Sequence, residues 1–278
     1  MLLKYLFSAL ALVFAVSVPA AAAPCHPSAL EMLRRNAPEA FAVHQKIADK
    51  AFFMRWITCD DVQLGLTTAV HESVHALTSQ LNAYPLIDGR TVPRVADSRA
   101  FFPPRRVAGA FRDDSTYVQN YLQEGGATSA VEFGFLLDEL NAYSHDLNTA
   151  VRLRSMSTPD RHVYHRDGLA ALMSFVAAYV ERARLEGTET WRTLQVPVIR
   201  KTVTTLWAQS ESVMGASCRT PNYGDETPSY LASICSATIG HGLGQVLGRP
   251  PLCPVSCLSV SGARLSARQR ASARTQTP

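Results

Sequence analysis

The segment that most constrains the fold is residues 67–81, TTAVHESVHALTSQL. It places His71 and His75 four positions apart, with Glu72 directly after the first histidine. Residues four apart lie on one face of an α-helix, so both imidazoles can point at the same place. The other side chains of this stretch are uncharged, which is typical of a buried helix. The spacing predicts a helix that begins near Thr58 as its N-cap and runs to about Asn82.

Apolar residues recur at helical spacing through most of the chain, and they predict a mainly α fold. One β-hairpin is expected over residues 84–95, where Asp88-Gly89 separates two short apolar runs. The fold class is therefore α+β with little sheet. Ser129 and Glu132 form a capping box that predicts the start of a long helix. The predicted helices cover residues 28–57 with a break at Pro38, 58–82, 115–124, 129–154, 168–186 and 189–214.

The N-terminus has the pattern of a secretory signal peptide. Lys4 precedes an apolar run over residues 6–18, and residues 20–23 offer small-residue cleavage sites. An uncleaved membrane anchor is the alternative, but the apolar run breaks up at Pro19. No later segment is apolar enough to span a bilayer, so we expect no stable membrane insertion after cleavage and a periplasmic or secreted location.

The remaining chain divides into three parts. Residues 24–217 are expected to form one domain, residues 218–260 a cysteine-containing segment packed on it, and residues 261–278 a disordered basic tail. With 47% hydrophobic and 18% charged residues, the chain can bury a sizeable core. The net charge of +4 comes without a basic stripe interleaved with aromatic residues, so no nucleic-acid partner is expected.

Six cysteines remain after the signal peptide, and an even count in an exported chain favours disulfides. Six thiols allow fifteen pairings, which sequence alone leaves open. Nearness along the chain favours one set of pairs over the others. These pairs are Cys25–Cys59, Cys218–Cys235 and Cys253–Cys257, and the segment from Cys218 onward is expected to be irregular.

The histidine pair suits a zinc ion. Zn²⁺ in a catalytic site takes three protein ligands and keeps a fourth position for water, and two neutral imidazoles supply two of the three. Glu72 lies one step round the helix from His71, so it can reach that water without binding the metal. A carboxylate in this position acts as the general base of hydrolysis. The residues therefore predict His71 and His75 as ligands and Glu72 as a catalytic base.

The stretch TAVHESVHAL resembles the signature of the zincin metallopeptidases. A downstream glutamate as the third ligand would place the chain near the gluzincins. Leu81 occupies the position where the metzincin branch has its third histidine, so that branch is excluded. The resemblance implies a zincin-like helical domain and a zinc-dependent hydrolase acting on proteins or peptides. It is confined to the motif helix and a short segment after it.

Two glutamates are candidates for the third ligand. Glu124 lies in YLQEGGA, which resembles the ligand segment of thermolysin-like and aminopeptidase-type gluzincins. Glu139 lies in DELNAY, which resembles the E-x-x-A helix of other branches. Both stand farther from the histidines than in the best-known members. Glu139 is preferred because it falls in the apolar arc of its helix, where a buried carboxylate needs a cation or donors. Asp138, Asn141, His145 and Asn148 are expected on the opposite side.

Tyr143 follows Glu139 by one turn and is the first candidate to donate a hydrogen bond to the carbonyl oxygen of a substrate. The loop RHVYHRDG supplies a second group, His162, Tyr164 and His165. Asp146 is a candidate to orient a ligand histidine. Two other functions stay open: a catalytically silent zinc-binding or interaction protein of the cell envelope that keeps the zincin fold, and a structural helical domain with a fortuitous motif. The presence of Glu72 favours the enzyme.

Overall fold

The computed structural model describes residues 24–96, 99–156 and 164–258. Helices account for most of these residues, and the strands form a two-stranded antiparallel sheet. The helices and strands are α1 (His26–Asn36), α2 (Pro38–Lys46), α3 (Lys50–Met54), α4 (Val62–Leu81), β1 (Ala83–Pro85), β2 (Thr91–Pro93), α5 (Thr116–Tyr121), α6 (Phe133–Arg152), α7 (His165–Leu185), α8 (Glu189–Leu194), α9 (Pro197–Ser217), α10 (Thr227–Ile234), α11 (Ala237–Leu247) and α12 (Val255–Leu258). Three 3-10 helices cover Pro104–Ala110, Thr128–Ala130 and Arg154–Met156.

The centre of the fold is α6, which packs against α4, α7 and α9. The expectation that one side of α6 faces away from the core is wrong: Asp138, Asn141 and His145 are all buried. Asn141 donates from Nδ2 to the carbonyl oxygen of Pro85 at 2.9 Å, and His145 Nε2 lies 3.0 Å from the same oxygen. Because the hairpin supplies an acceptor, these polar side chains are buried with partners.

Helix α4 begins later than predicted but ends where expected. Asp61 is its N-cap, with the side chain accepting a hydrogen bond from the backbone amide of Leu64 at 3.0 Å, whereas Thr58 lies outside the helix. Asn82 ends α4 in the left-handed conformation, with φ of 47°. An aspartate directly before the first helical residue is a better cap than a threonine three positions earlier, because its oxygen reaches the free amides of the first turn.

Two other predicted boundaries change. The capping box of Ser129 with Glu132 does not form: Glu132 precedes α6 without a side-chain cap, and Ser129 Oγ donates to the carbonyl of Tyr121 at 3.2 Å. The helix expected over residues 189–214 is two helices, because Pro197 starts α9. The break at Pro38 and the short helix α5 are confirmed.

The predicted hairpin is confirmed. Strand β1 pairs with β2 antiparallel, with Tyr84 opposite Val92. Gly89 takes the left-handed conformation in the turn, with φ of 87°, which fits the Asp-Gly signal of the sequence. The hairpin directly follows α4 and lies against it.

The structure contains three disulfides. The pair Cys25–Cys59 is confirmed, whereas the other two predicted pairs are wrong: the bonds are Cys218–Cys257 and Cys235–Cys253. The segment is also helical rather than irregular, and α10 and α11 both pack on α7. These helices reverse the chain, so that cysteines distant in sequence meet while nearer ones do not. Three disulfides are compatible with an exported protein.

None of the helices within the described ranges is long and apolar enough to cross a membrane. The predicted signal peptide of residues 1–23, the basic tail of residues 261–278 and His162 lie outside the described residues.

Candidate metal centre

Three potential ligand atoms meet where α4 crosses α6. His71 Nε2 and His75 Nε2 lie 3.2 Å apart. Glu139 Oε2 lies 3.7 Å from the first and 3.5 Å from the second. Among the described residues, these three form the group of histidines, cysteines and acids that could hold a metal ion.

Local packing fixes this arrangement. Val70 and Val74 are fully buried on α4 and belong to one apolar cluster with Ala142 of α6. Ala142 follows Glu139 by one turn, and its small side chain lets the two helices approach closely. The register that buries Ala142 in this cluster also brings Glu139 to the histidines.

The three separations fit a tetrahedral cation. Nitrogen and oxygen ligands lie about 2.0–2.2 Å from Zn²⁺, which places any two ligands of a tetrahedron about 3.3–3.6 Å apart. The observed values of 3.2, 3.5 and 3.7 Å span this range. Glu139 Oε2 is also buried without a hydrogen-bond partner. A buried carboxylate needs a cation or hydrogen-bond donors, and a metal ion at this point would coordinate Oε2 together with both imidazoles.

The charges of the centre are strongly coupled. Burial alone would lower the pKa of His75, but the carboxylates of Asp138 and Glu139 outweigh it and raise that pKa to about 10. Burial would raise the pKa of Glu139, but the two imidazoles lower it to about 2. A proton on His75 therefore balances the carboxylates in the metal-free protein, and it competes with a metal ion for the same nitrogen.

Asp138 is a site residue that the sequence reasoning missed. Its Oδ2 lies 2.7 Å from His75 Nδ1, so Nδ1 donates to this carboxylate while Nε2 faces Glu139. Asp146, which was expected to orient a ligand histidine, instead contacts His165 Nδ1 at 2.9 Å. One feature of the sequence indicates this role of Asp138: it is the neighbour of Glu139, and one imidazole can contact a different carboxylate with each ring nitrogen.

Glu72 and Tyr143 lie at the same crossing. Glu72 is half-buried on α4 beside His71. The ring of Tyr143 meets the ring of His71 edge-on, with centroids 4.7 Å apart. The Tyr143 hydroxyl lies 2.8 Å from the hydroxyl of Tyr121, a residue the sequence reasoning did not select. Little in the sequence indicates that Tyr121 lies near the histidines, because no helical repeat connects it to residues 71–75.

The other predicted candidates lie elsewhere. Glu124 is exposed beyond the end of α5 and is not part of the three-residue group. Tyr164 is 59% exposed, whereas His165 is buried and paired with Asp146. The structure thus brings Glu139, and not Glu124, to the histidine pair.

Two sizeable cavities lie away from this centre. One of about 590 Å³ is lined by the hairpin turn, α6 and α9, and it includes the ion pair of Arg152 with Glu39. Another of about 550 Å³ borders the Cys235–Cys253 disulfide. Neither is lined by His71, His75 or Glu139.

Comparisons with protein families, with characterised proteins and with solved structures find no match for this chain.

Proposed function

We propose that the protein is an exported zinc-dependent peptidase of gluzincin type. In this proposal His71, His75 and Glu139 hold Zn²⁺, and Glu72 is the general base. The observation that carries it is the grouping of three donor atoms, His71 Nε2, His75 Nε2 and the buried Glu139 Oε2, at separations that fit a tetrahedral cation. Glu72 occupies the position next to His71 on α4.

Each residue has a role that follows from its chemistry. Zinc, when bound, lowers the pKa of a coordinated water and polarises a substrate carbonyl. Glu72 accepts the proton of the attacking water and passes it to the leaving amine. Asp138 holds His75 in the tautomer whose Nε2 can bind a metal. A tyrosine hydroxyl at the crossing, with Tyr143 the first candidate, shares the negative charge on the carbonyl oxygen.

The substrate class and the location follow from the sequence motif, the disulfides and the N-terminal pattern. Proteins or peptides are the substrates implied by the resemblance of TAVHESVHAL to the zincin signature. The three disulfides support export, and the signal-like N-terminal sequence supports a periplasmic or secreted location.

The second candidate is a catalytically silent zinc-binding or interaction protein of the cell envelope. One observation favours it: the two cavities of more than 500 Å³ lie away from the three donor atoms. Glu72 favours the enzyme, because a site that only binds metal has no use for a base next to the ligands.

Metal content tests the centre. The purified wild-type protein should hold about one zinc per chain, measured by elemental analysis after dialysis against trace-metal-free buffer. Glu139→Ala should lose the metal, whereas the matched variant Glu124→Ala should keep it. Retention by Glu139→Ala with loss in Glu124→Ala would assign the third ligand to Glu124 and contradict the geometry.

Hydrolysis separates the two functions. The zinc-loaded protein should cleave members of a diverse peptide library, and Glu72→Gln should abolish cleavage while metal content stays unchanged. A zinc-loaded wild-type protein that cleaves nothing in the library supports the silent alternative. A protein that binds no zinc excludes both.

A further inference from the structure

The larger of the two cavities is lined by four elements and is separate from the candidate metal centre. Its volume is about 590 Å³. Sites for small molecules have volumes of about 300–1,000 Å³. The lining comes from the hairpin turn, from α6, from α9 and, through Glu39, from α2. A molecule in this cavity would therefore contact elements from both apolar clusters of the protein.

Helix α6 contributes Asn148 and Arg152 to the lining. These residues are four positions apart, so they lie on one face of the helix. In the two turns before them, His145 and Asn141 contact the carbonyl oxygen of Pro85. The side-chain amide of Asn148, in contrast, has no hydrogen-bond partner in the described part of the chain. It can therefore both donate to and accept from a bound molecule.

Helix α9 contributes hydroxyl groups. Thr204, Ala208 and Ser212 recur every four residues along the lining, and Thr205 lies beside them. The hydroxyls of Thr204 and Thr205 donate to the carbonyl oxygen of Lys201, at 3.0 and 2.8 Å. Their protons are used within the helix, so their oxygens remain as acceptors for a molecule in the cavity.

The charged groups of the lining are balanced in pairs. Arg152 Nη2 lies 2.7 Å from Glu39 Oε1, and Arg90 Nη2 lies 2.7 Å from Asp88 Oδ2. Two cations and two anions leave no net charge, so the lining does not select a charged molecule over a neutral one. Each guanidinium still has further N–H groups to donate. The lining is thus neutral as a whole and offers both donors and acceptors.

Apolar side chains complete the lining. They are Leu86 and Ile87 of the hairpin and Ala208 and Val213 of α9. The backbone amide of Ile87 donates to Gln209 Oε1 at 2.9 Å, and this bond holds the hairpin against α9. A sugar fits such a lining, because its hydroxyls both donate and accept while its C–H groups pack on apolar side chains.

We propose that this cavity binds a neutral, hydroxyl-rich small molecule of the size of a mono- or disaccharide. Asn148 and Arg152 donate hydrogen bonds to its hydroxyl oxygens, and Thr204 and Thr205 accept its hydroxyl protons. The apolar side chains of the lining contact its C–H groups. Binding uses none of the proposed metal ligands, so this site goes beyond the proposed peptidase function and does not depend on it.

Matched sugars test the chemical class in isothermal titrations of the purified wild-type protein. Glucose, N-acetylglucosamine, maltose and chitobiose are the neutral probes, and glucosamine and glucose phosphate are the charged probes. We expect at least one neutral probe to bind with a Kd of about 1 mM or below, and each charged probe to bind more weakly than this one. Tighter binding of a charged probe than of every neutral probe would overturn the proposal. So would the absence of binding by all neutral probes up to about 10 mM.

Variants test whether the sugar binds in this cavity. Ala208→Leu adds volume inside the lining, whereas the matched control Ala216→Leu adds it at an exposed position of α9 outside the lining. Ala208→Leu should weaken binding about 10-fold or more, and Ala216→Leu should bind like the wild type. Asn148→Ala should weaken binding about 3- to 10-fold through the loss of a hydrogen bond. Wild-type affinity in both Ala208→Leu and Asn148→Ala would overturn the assignment of the site to this cavity.

Discussion

Gly168→Ala tests the packing that holds the candidate centre together. Gly168 is buried in the first turns of α7, directly against the ring of Tyr143. A Cβ at this position would lie 2.1 Å from Tyr143 Cε1, 2.6 Å from Cδ1 and 3.0 Å from Cζ. Ordinary carbon contacts are about 3.5–4.0 Å, so the ring has to move. The ring contact with His71 and the hydrogen bond with Tyr121 restrain that movement.

The magnitude combines two opposing effects. Overpacking a buried site costs about 1–3 kcal/mol. Replacing glycine by alanine inside a helix gains up to about 1 kcal/mol. Gly215 on α9 provides the matched control, because it is exposed and an added Cβ would meet nothing within 4 Å. Gly215→Ala should therefore be neutral or stabilised by up to about 1 kcal/mol, and Gly168→Ala should be less stable than this control by about 1–3 kcal/mol.

Urea denaturation followed by circular dichroism measures both free energies of unfolding, with unchanged slopes as the condition for comparing them. Thermal midpoints should follow at roughly 2–4 °C per kcal/mol. A Gly168→Ala variant as stable as Gly215→Ala would show that Tyr143 does not lie against α7. Loss of zinc affinity in Gly168→Ala alone would add that the displaced ring disturbs His71.

Acid titration, metal binding and disulfide removal each have an expected result. Burial lowers the pKa of His145 from 6.5 to about 4, so the folded state binds fewer protons between these values. Acidification from pH 6.5 to 4 should therefore remove about 3 kcal/mol of the free energy of unfolding through this group. Urea denaturation at several pH values should show that the free energy of unfolding falls less with acidification in His145→Gln than in the wild type. Asp138→Ala should weaken zinc binding about 10- to 100-fold in competition titrations, and unchanged affinity would exclude its role beside His75. The double variant Cys25→Ala/Cys59→Ala, which opens a link across 34 positions, should lose about 3–4 kcal/mol of stability in denaturation; a loss below 1 kcal/mol would contradict the loop-entropy argument.

Periodicity predicts the fold well where one helix face is apolar and the ends have signals. Helix α4, the hairpin and the break at Pro38 follow from such patterns. Helix α11 was missed because Gly240, Gly242 and Gly244 lower its intrinsic helix propensity. Tertiary contacts outweigh that propensity: the amide of Gly242 donates to Glu181 Oε2 at 2.7 Å, a contact that no local pattern contains.

The polar residues of α6 show a second limit. A helix with Asn141 and His145 on one side is normally expected to expose that side. Here the carbonyl oxygen of Pro85 meets both side chains, and α9 covers the same surface. A sequence pattern distinguishes polar from apolar residues, but it does not show whether a distant backbone carbonyl will be available to a buried polar group.

The same distinction explains which parts of the centre were predictable. His71 and His75 share a helix, so their proximity follows from spacing alone, and the position of Glu139 in the apolar arc of its helix favours it over Glu124. The partner of His75 does not follow from spacing, because it depends on the angle at which α6 crosses α4. That crossing lets consecutive residues of α6 meet the two nitrogens of one imidazole, Asp138 at Nδ1 and Glu139 at Nε2. A shift of α6 by one residue would therefore remove the orienting carboxylate and the proposed ligand together, so the helix contact, and not any one of these residues, determines whether the centre can form.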